Sequence, residues 1–171
     1  MVAKIAGSIT ELIGNTTGGT LTGTGRYLKA QNPAVQIIAV EPGIASQPSE
    51  LRPEPLEITG VHAFSNQTPE RIPANLDHRV YDEVIAVDTW QAYAAARQLA
   101  LSEGVLVGDS SGAVLWAAQQ VAAREENRGK RIVLLLADGG SSDLSTQLYA
   151  HQVPAESLKL ASAVQTSQKI A

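Results

Sequence analysis

A chain of 171 residues that is 44% hydrophobic is long enough to bury a real core, which sets disorder aside as the default state. Its net charge of −4, with no clustered Lys or Arg, argues against nucleic acid and acidic membrane surfaces as partners while leaving room for a small anionic ligand. It has no cysteine, so disulfides, thiolate metal sites and thiol catalysis are excluded together, and a cytoplasmic setting is expected. His62, His78 and His151 lie far apart without ligand spacing, so no metal is expected, and no apolar window approaches membrane-spanning length.

In chain order, Ile5 to Ile13 follows no single period, and Thr10 to Asn15 reads as one helical turn closed by Gly14-Asn15. Next comes Thr16-Thr17-Gly18-Gly19-Thr20-Leu21-Thr22-Gly23-Thr24-Gly25, the densest glycine and hydroxyl window of the chain. Glycines let backbone N–H groups approach an anion, and a following helix adds its positive end, so this window is a candidate phosphate cradle. It is not a Walker loop, because Thr24 rather than Lys follows Gly23. Nor is it a good dinucleotide fingerprint, since Tyr27 and Leu28 stand where a third glycine belongs and no useful strand is expected before it. A flexible turn ahead of a helix remains the alternative.

The helix that follows is expected to share one surface among Leu21, Tyr27, Leu28 and Ala30 and to stop at Asn32-Pro33. Val35 to Val40 is a β-branched run that reads as a buried strand ended by Glu41-Pro42-Gly43. From Ile44 to Asp77 periodicity is lost and prolines accumulate, which marks a long excursion of the kind that often carries function. His62, inside that excursion, reads as a structural or exposed side chain.

Val84 to Val87 is a second strand, and Asp88 with Gln91 predicts a capping box for a helix that ends at Gly104. Val105 to Val107 reads as a third strand running into Gly108-Asp109-Ser110-Ser111-Gly112, after which a helix continues to Gly129. Ile132 to Leu136 reads as the strongest strand, followed by Asp138-Gly139-Gly140 and a helix over Leu144 to Ala150. Strands alternating with helices imply an α/β fold with a parallel sheet, whose ligand-binding loops gather at the carboxyl ends of the strands. The 108–112 and 138–140 loops are therefore expected beside the Gly/Thr window.

Gly108-Asp109-Ser110-Ser111-Gly112 also matches the Gly-x-Ser-x-Gly elbow of hydrolases, with Asp138 and His151 following in that family's order. Two other roles compete: a serine that caps the next helix, and a serine hydroxyl that donates to a ring nitrogen or another ligand acceptor. Asp138 and Asp143 read as turn or cap residues more readily than as acid/base groups.

Taken together, these pieces resemble the pyridoxal-phosphate enzymes of the cysteine synthase and cystathionine β-synthase family. Thr17-Gly18-Gly19-Thr20 with Gly25-Arg26-Tyr27-Leu28-Lys29 is similar to that family's phosphate loop and helix, and Val40-Glu41-Pro42 to the strand end behind it. Glu103 to Gly108 with Ser110-Ser111-Gly112-Ala113 resembles the segment whose serine bonds the pyridine nitrogen, with Ser110 at the matching position. Leu144-Ser145-Thr146 before Leu148-Tyr149 resembles the closing helix. The resemblance implies a partial parallel-sheet large domain of fold type II, with pyridoxal phosphate as cofactor held by Thr17, Gly18, Gly19, Thr20 and Ser110. It implies cysteine formation from O-acetylserine and sulfide, an amino-acid substrate, and a homo-oligomer or a synthase-type partner.

The resemblance also implies an internal deletion. Ile9 to Thr16 is similar to the opening of a cysteine synthase, which should continue through a small domain before the phosphate loop; here it joins Thr17-Gly18-Gly19 directly. The expected organisation is a remnant at 1–16, a truncated cofactor domain at 17–153 and a flexible tail at 154–171. The Schiff-base lysine segment falls in the gap, and none of Lys4, Lys29, Lys130, Lys159 or Lys169 sits in the family's lysine motif. No catalytic residue is therefore assigned, Lys29 is expected to be solvated, and impaired turnover is expected. Thr16 stands for the loop's first glycine, and Gly60-Val61-His62-Ala63-Phe64 departs from the family's Gly-Ile-Gly pattern. The alternative is a non-catalytic partner of full-length synthase chains or of a serine acetyltransferase tail.

Overall fold

The computed structural model describes residues 11–14 and 18–150, with side chains from Gly18 onward. Thr16, Thr17, His151 and the tail lie outside the described residues, as do the boundaries expected at 16/17 and 153/154. Four parallel strands form one sheet: β1 (Glu11–Gly14), β2 (Gln36–Pro42), β3 (Glu83–Val87) and β4 (Ile132–Leu134), in the order β3-β2-β1-β4. The three helices are α1 (Gly19–Gln31), α2 (Thr89–Glu103) and α3 (Asp109–Ala122).

β2 is the buried centre of this arrangement. Ile38 and Val40 face α3, where they pack with Val87, Ala113, Val114, Ala117 and Val121. Ile37 and Ala39 point the other way and pack with Leu21 of α1, Phe64 and Val80. Strand side chains alternate between faces, so a run that is apolar at every position needs cover on both, and the helices supply it. α2 and α3 pack closely because Gly112 lets the backbone of Ala92 approach: a Cβ there would lie 2.3 Å from the Ala92 carbonyl oxygen.

The helix boundaries follow local chemistry. The capping box at the start of α2 is present, with Asp88 N–H donating to Gln91 Oε1 at 2.9 Å, and Gly104 ends the helix in the left-handed region at φ +70°.

Several expectations are corrected. The segment read as a helical turn at Thr10–Asn15 instead contributes β1, in register with Gln36–Ala39 on one side and Ile132–Leu134 on the other. Pairing with two neighbours satisfies both edges of its backbone, an advantage that no local pattern reveals. A strand therefore does precede the Gly/Thr window. β4 stops at Leu134 rather than Leu136, and its pairing with β1 ends at Ile13.

Val105–Val107 is not a strand; it makes one antiparallel bridge, Val107 to Gly139, flanked by Gly108 N–H to the Asp138 carbonyl at 3.4 Å and Gly140 N–H to the Leu106 carbonyl at 3.1 Å. Leu144–Ala150 is a series of turns rather than a helix. The guanidinium of Arg97 takes the carbonyls of Gln147 and Leu148, both at 2.6 Å, while Leu148 is buried against Tyr93, Ala96 and Val107. Docking thus claims the acceptors and the side chain of this segment. On α1, Leu21 is buried whereas Tyr27 is 64% exposed, so they do not share the packed face.

Hydrogen bonds tie the long excursion to the sheet and helices. Glu41 Oε2 accepts Phe64 N–H at 2.9 Å and Ser65 N–H at 3.0 Å. Thr59 N–H donates to Asp109 Oδ2 at 2.9 Å, and Thr89 Oγ1 donates to the Leu56 carbonyl. No helix among the described residues is long and apolar enough to cross a membrane.

Candidate functional site

Two helix N-termini meet the carboxyl edge of the sheet on adjacent strands. α1 begins just beyond β1, and α3 begins beside the loop that leaves β4. Gly18 caps α1 at φ +91°, with no side-chain cap hydrogen bond and no acidic residue in the first turn. The first-turn N–H groups of Gly19 and Thr20 are thus offered at the positive end of a 13-residue helix. That end is held from the excursion: a Cβ on Gly18 would lie 2.9 Å from Leu76 Cβ, and one on Gly19 would lie 3.2 Å from Asn75 Nδ2. One turn on, Thr22 Oγ1 donates to the Asn75 carbonyl at 2.9 Å and accepts Asp77 N–H at 3.0 Å.

At α3 the N-cap is Gly108, so neither Ser110 nor Ser111 has the capping role considered for it. Asp138 takes that role from another element. Its Oδ1 accepts Ser111 N–H at 3.3 Å and the Ser111 hydroxyl, and its own N–H donates to Ser111 Oγ at 3.3 Å. The approach requires Gly108, where a Cβ would fall 2.0 Å from Asp138 Oδ2. On the other side of Ser110, Asp109 is buried and holds Thr59. Ser110 is half-buried between two pinned neighbours. The 108–112 and 138–140 loops therefore meet as expected, by direct hydrogen bonds.

The surroundings are acidic. Burial raises the Asp143 carboxyl above its ordinary value, and the charges of Asp109 and Asp138 push it the same way. Asp138 is bonded through Oδ1 to the Ser111 amide and hydroxyl; His151, the base that a Ser110 nucleophile would need, lies outside the described residues.

A cleft of about 400 Å³ opens at the end of β2, with Ile58, Val61, His62 and Arg71 in its wall. His62 is exposed and faces this cleft, so its place combines the exposed position expected for it with a pocket. The lysines among the described residues are engaged elsewhere. Lys29 is not simply solvated: its ammonium bonds both Asp82 carboxylate oxygens, at 2.7 and 2.8 Å, and the Val35 carbonyl at 3.3 Å, at the opposite edge of the sheet. Lys130 donates to Asn127 Oδ1 at 2.7 Å.

Sequence reasoning missed Asn75, Leu76 and the Asp138–Ser111 tie. Asn75-Leu76-Asp77 follows a proline and closes the excursion, a turn signal that marked its end but not its contact with Gly18. Gly18, Gly19, Thr20 and Ser110 all stand at the expected edge, and Thr17 is outside the described residues.

Comparison with known proteins agrees with this geometry. Cysteine synthase of Staphylococcus aureus is 39% identical over 139 residues, which is 81% of this chain and 43% of the relative. The chain thus spans less than half the length of the curated relatives it matches. The crystal structure of O-acetylserine sulfhydrylase isoform 3 from Entamoeba histolytica superposes with a TM-score of 0.73 at 30% identity, covering 91% of this chain and 45% of that one. O-ureido-L-serine synthase superposes with a TM-score of 0.69 at 31% identity, covering 88% and 46%. The family model for pyridoxal-phosphate dependent enzymes matches residues 10–138, and the chain belongs to that family.

Proposed function

We propose that this chain is a cysteine synthase-like protein that holds pyridoxal phosphate without a covalent lysine link and turns over poorly, if at all. The observation that carries this reading is the start of α1. Gly18 at φ +91°, with no side-chain cap and no first-turn acid, leaves N–H donors and a helix dipole for a phosphate. Thr17, Gly18, Gly19 and Thr20 would hold that phosphate, and the Ser110 hydroxyl would donate to the ring nitrogen at the neighbouring helix start. When bound, the cofactor supplies an electron sink for chemistry at an amino-acid α-carbon. The chain's own part is to orient it between two fixed helix ends.

The amino-acid substrate, O-acetylserine by similarity to the synthases, would enter from the cleft lined by Ile58 and His62. Among the described residues no lysine for β-replacement stands at the site: Lys29 and Lys130 are bonded elsewhere, and neither lies in the family motif. Assembly is a second part of the proposal. Leu106, Leu135 and Leu136 are partly exposed near the edge strand β4, and a further copy or a synthase-type partner would cover them.

The test is to add pyridoxal phosphate to the purified chain and record absorption before and after borohydride reduction, followed by mass analysis for a reduced lysine adduct. The expected result is a bound chromophore that leaves with dialysis and no adduct, with no cysteine formed from O-acetylserine and sulfide. A stable adduct accompanied by cysteine formation would sink the impairment; no binding at all would sink the cofactor role.

A further inference from the structure

We propose that Asp138 is a positioning residue for the ring-nitrogen end of the cofactor site: from the loop that follows β4 it locks the first turn of α3 and so sets the direction of the Ser110 hydroxyl. The inference rests on the cofactor reading above and goes beyond it by assigning a residue that does not itself touch the cofactor.

The first turn of a helix has N–H groups without intrahelical acceptors, and a side chain at the cap position ordinarily satisfies one of them. α3 starts at Gly108, which has no side chain to offer. Asp138 supplies the acceptor in trans. Its Oδ1 receives Ser111 N–H at 3.3 Å and the Ser111 hydroxyl; its backbone carbonyl accepts Gly108 N–H at 3.4 Å, and its backbone N–H returns to Ser111 Oγ at 3.3 Å. Ser111 is 1% exposed, so the contact is shielded from competing water.

Ser110 precedes Ser111 and follows Asp109, whose carboxylate holds the Thr59 amide at 2.9 Å. With both neighbours fixed, the backbone of Ser110 has one setting. A donor that must reach one ring atom gains from such restraint, because the geometry is set before the ligand arrives. Aspartate suits the task through its charge as well: a carboxylate at a helix N-terminus is stabilised by the dipole and makes the stronger class of hydrogen bond.

The experiment uses two probes by calorimetry on the full chain: pyridoxine 5′-phosphate, which has the ring and phosphate but no aldehyde, and inorganic phosphate. For the unaltered chain, the ring probe is expected to bind more tightly than phosphate; binding of neither probe overturns the cofactor reading, and equal binding overturns a ring-nitrogen contact. Asp138→Ala is expected to weaken the ring probe about tenfold, the loss of one well-set hydrogen bond, and to leave inorganic phosphate unchanged. Adding Ser110→Ala to Asp138→Ala is expected to cost nothing more, whereas Asp138→Asn, which keeps an acceptor oxygen, restores most of the affinity. If Asp138→Ala does not fold, Ser111→Ala removes the same hydroxyl contact from the other side and carries the same expectation. Ring-probe affinity unchanged in the Asp138 or Ser111 variant, or losses from Ser110 and Asp138 that multiply independently, overturns the inference while leaving the cofactor reading in place.

Discussion

Gly18 and Leu76 are packed so closely that a Cβ on the glycine would lie 2.9 Å from the leucine Cβ, and the glycine adopts φ +91° in doing so. Two constraints thus coincide within the proposed phosphate site: a backbone angle that an L side chain resists, and a neighbour whose Cβ and Cα would lie 2.9 and 3.1 Å from the added atom.

Gly18→Ala is accordingly expected to destabilise the fold by about 1–3 kcal/mol in urea titration, the range for a non-glycine residue forced into the left-handed region. It is expected to abolish inorganic phosphate binding in calorimetry as well, since relieving the clash displaces the start of α1. Gly23→Ala is the control. Its Cβ would meet nothing within 4 Å, and alanine favours a helix interior over glycine by about 1 kcal/mol, so this variant should gain stability with binding intact.

Glu41 is the second test of how the site is held. Its buried carboxylate takes Phe64 N–H, Ser65 N–H and the Ser65 hydroxyl, which fastens the excursion to the end of β2 beside the cleft. Glu41→Ala leaves those donors without acceptors, and a loss of roughly 2–3 kcal/mol is expected. Glu41→Gln keeps an oxygen for the two amides and should lose less than half as much. Limited proteolysis distinguishes a local from a global effect: in Glu41→Ala the first cuts should fall within residues 57–71 before the sheet is lost. Simultaneous cleavage throughout the chain would show that the tie is not local.

The elements legible in the sequence are those whose signals are local. β2 is apolar on both faces, and α2 carries its own box at Asp88 and Gln91 and its own stop at Gly104. β1 was not legible, because Glu11–Gly14 is a strand only by virtue of lying between β2 and β4. Val105–Val107 has strand letters, yet between the end of α2 at Gly104 and the cap of α3 at Gly108 it makes a single bridge, Val107 to Gly139. Leu144–Ala150 has helix letters, and Arg97 takes two of its carbonyls. The same division runs through the site. Gly18 and Ser110 stand at junctions that announce themselves, whereas Asp138 and Ser111 are 27 residues apart and meet only once β4 and α3 are packed.

Acid stability provides a test of the surface around α1. Asp77 lies between Arg79 and Arg26, and their hydrogen bonds hold its carboxyl well below the ordinary 3.8. Glu83 is held below 4.5 by the guanidinium of Arg124, which it meets at 2.6 and 2.7 Å. A carboxyl whose folded pKa is depressed contributes stability that is complete above its unfolded value and is lost as pH falls toward the folded value. Thermal midpoints should therefore be flat near neutrality and fall below about pH 4.5, first through Glu83 and then through Asp77. Arg26 and Arg79 are largely exposed and the Arg124–Glu83 pair is about one-third exposed, so each contribution is modest. Glu83→Gln with Asp77→Asn should lower the neutral-pH midpoint and flatten the acid limb. An acid limb as steep as before would place the titrating groups elsewhere.

Asp143 gives the opposite sign in the same measurement. Its carboxyl is raised above the ordinary 3.8 by burial, and then by Asp109 and Asp138, so the folded chain holds this proton more tightly than the unfolded chain does. Such a group contributes stability below its unfolded value and withdraws it as pH rises through the folded one. Asp143→Asn removes the charge while keeping the shape, and should raise the midpoint at pH 7 while changing little at pH 3. Because the relief reaches Asp109 and Asp138, which flank Ser110 through sequence and hydrogen bonding, the variant should also bind anionic probes more tightly at low salt, a gain that fades as ionic strength screens the cluster. A midpoint that falls at pH 7 would mean that the Asp143 carboxylate is held by a favourable partner rather than repelled by its neighbours.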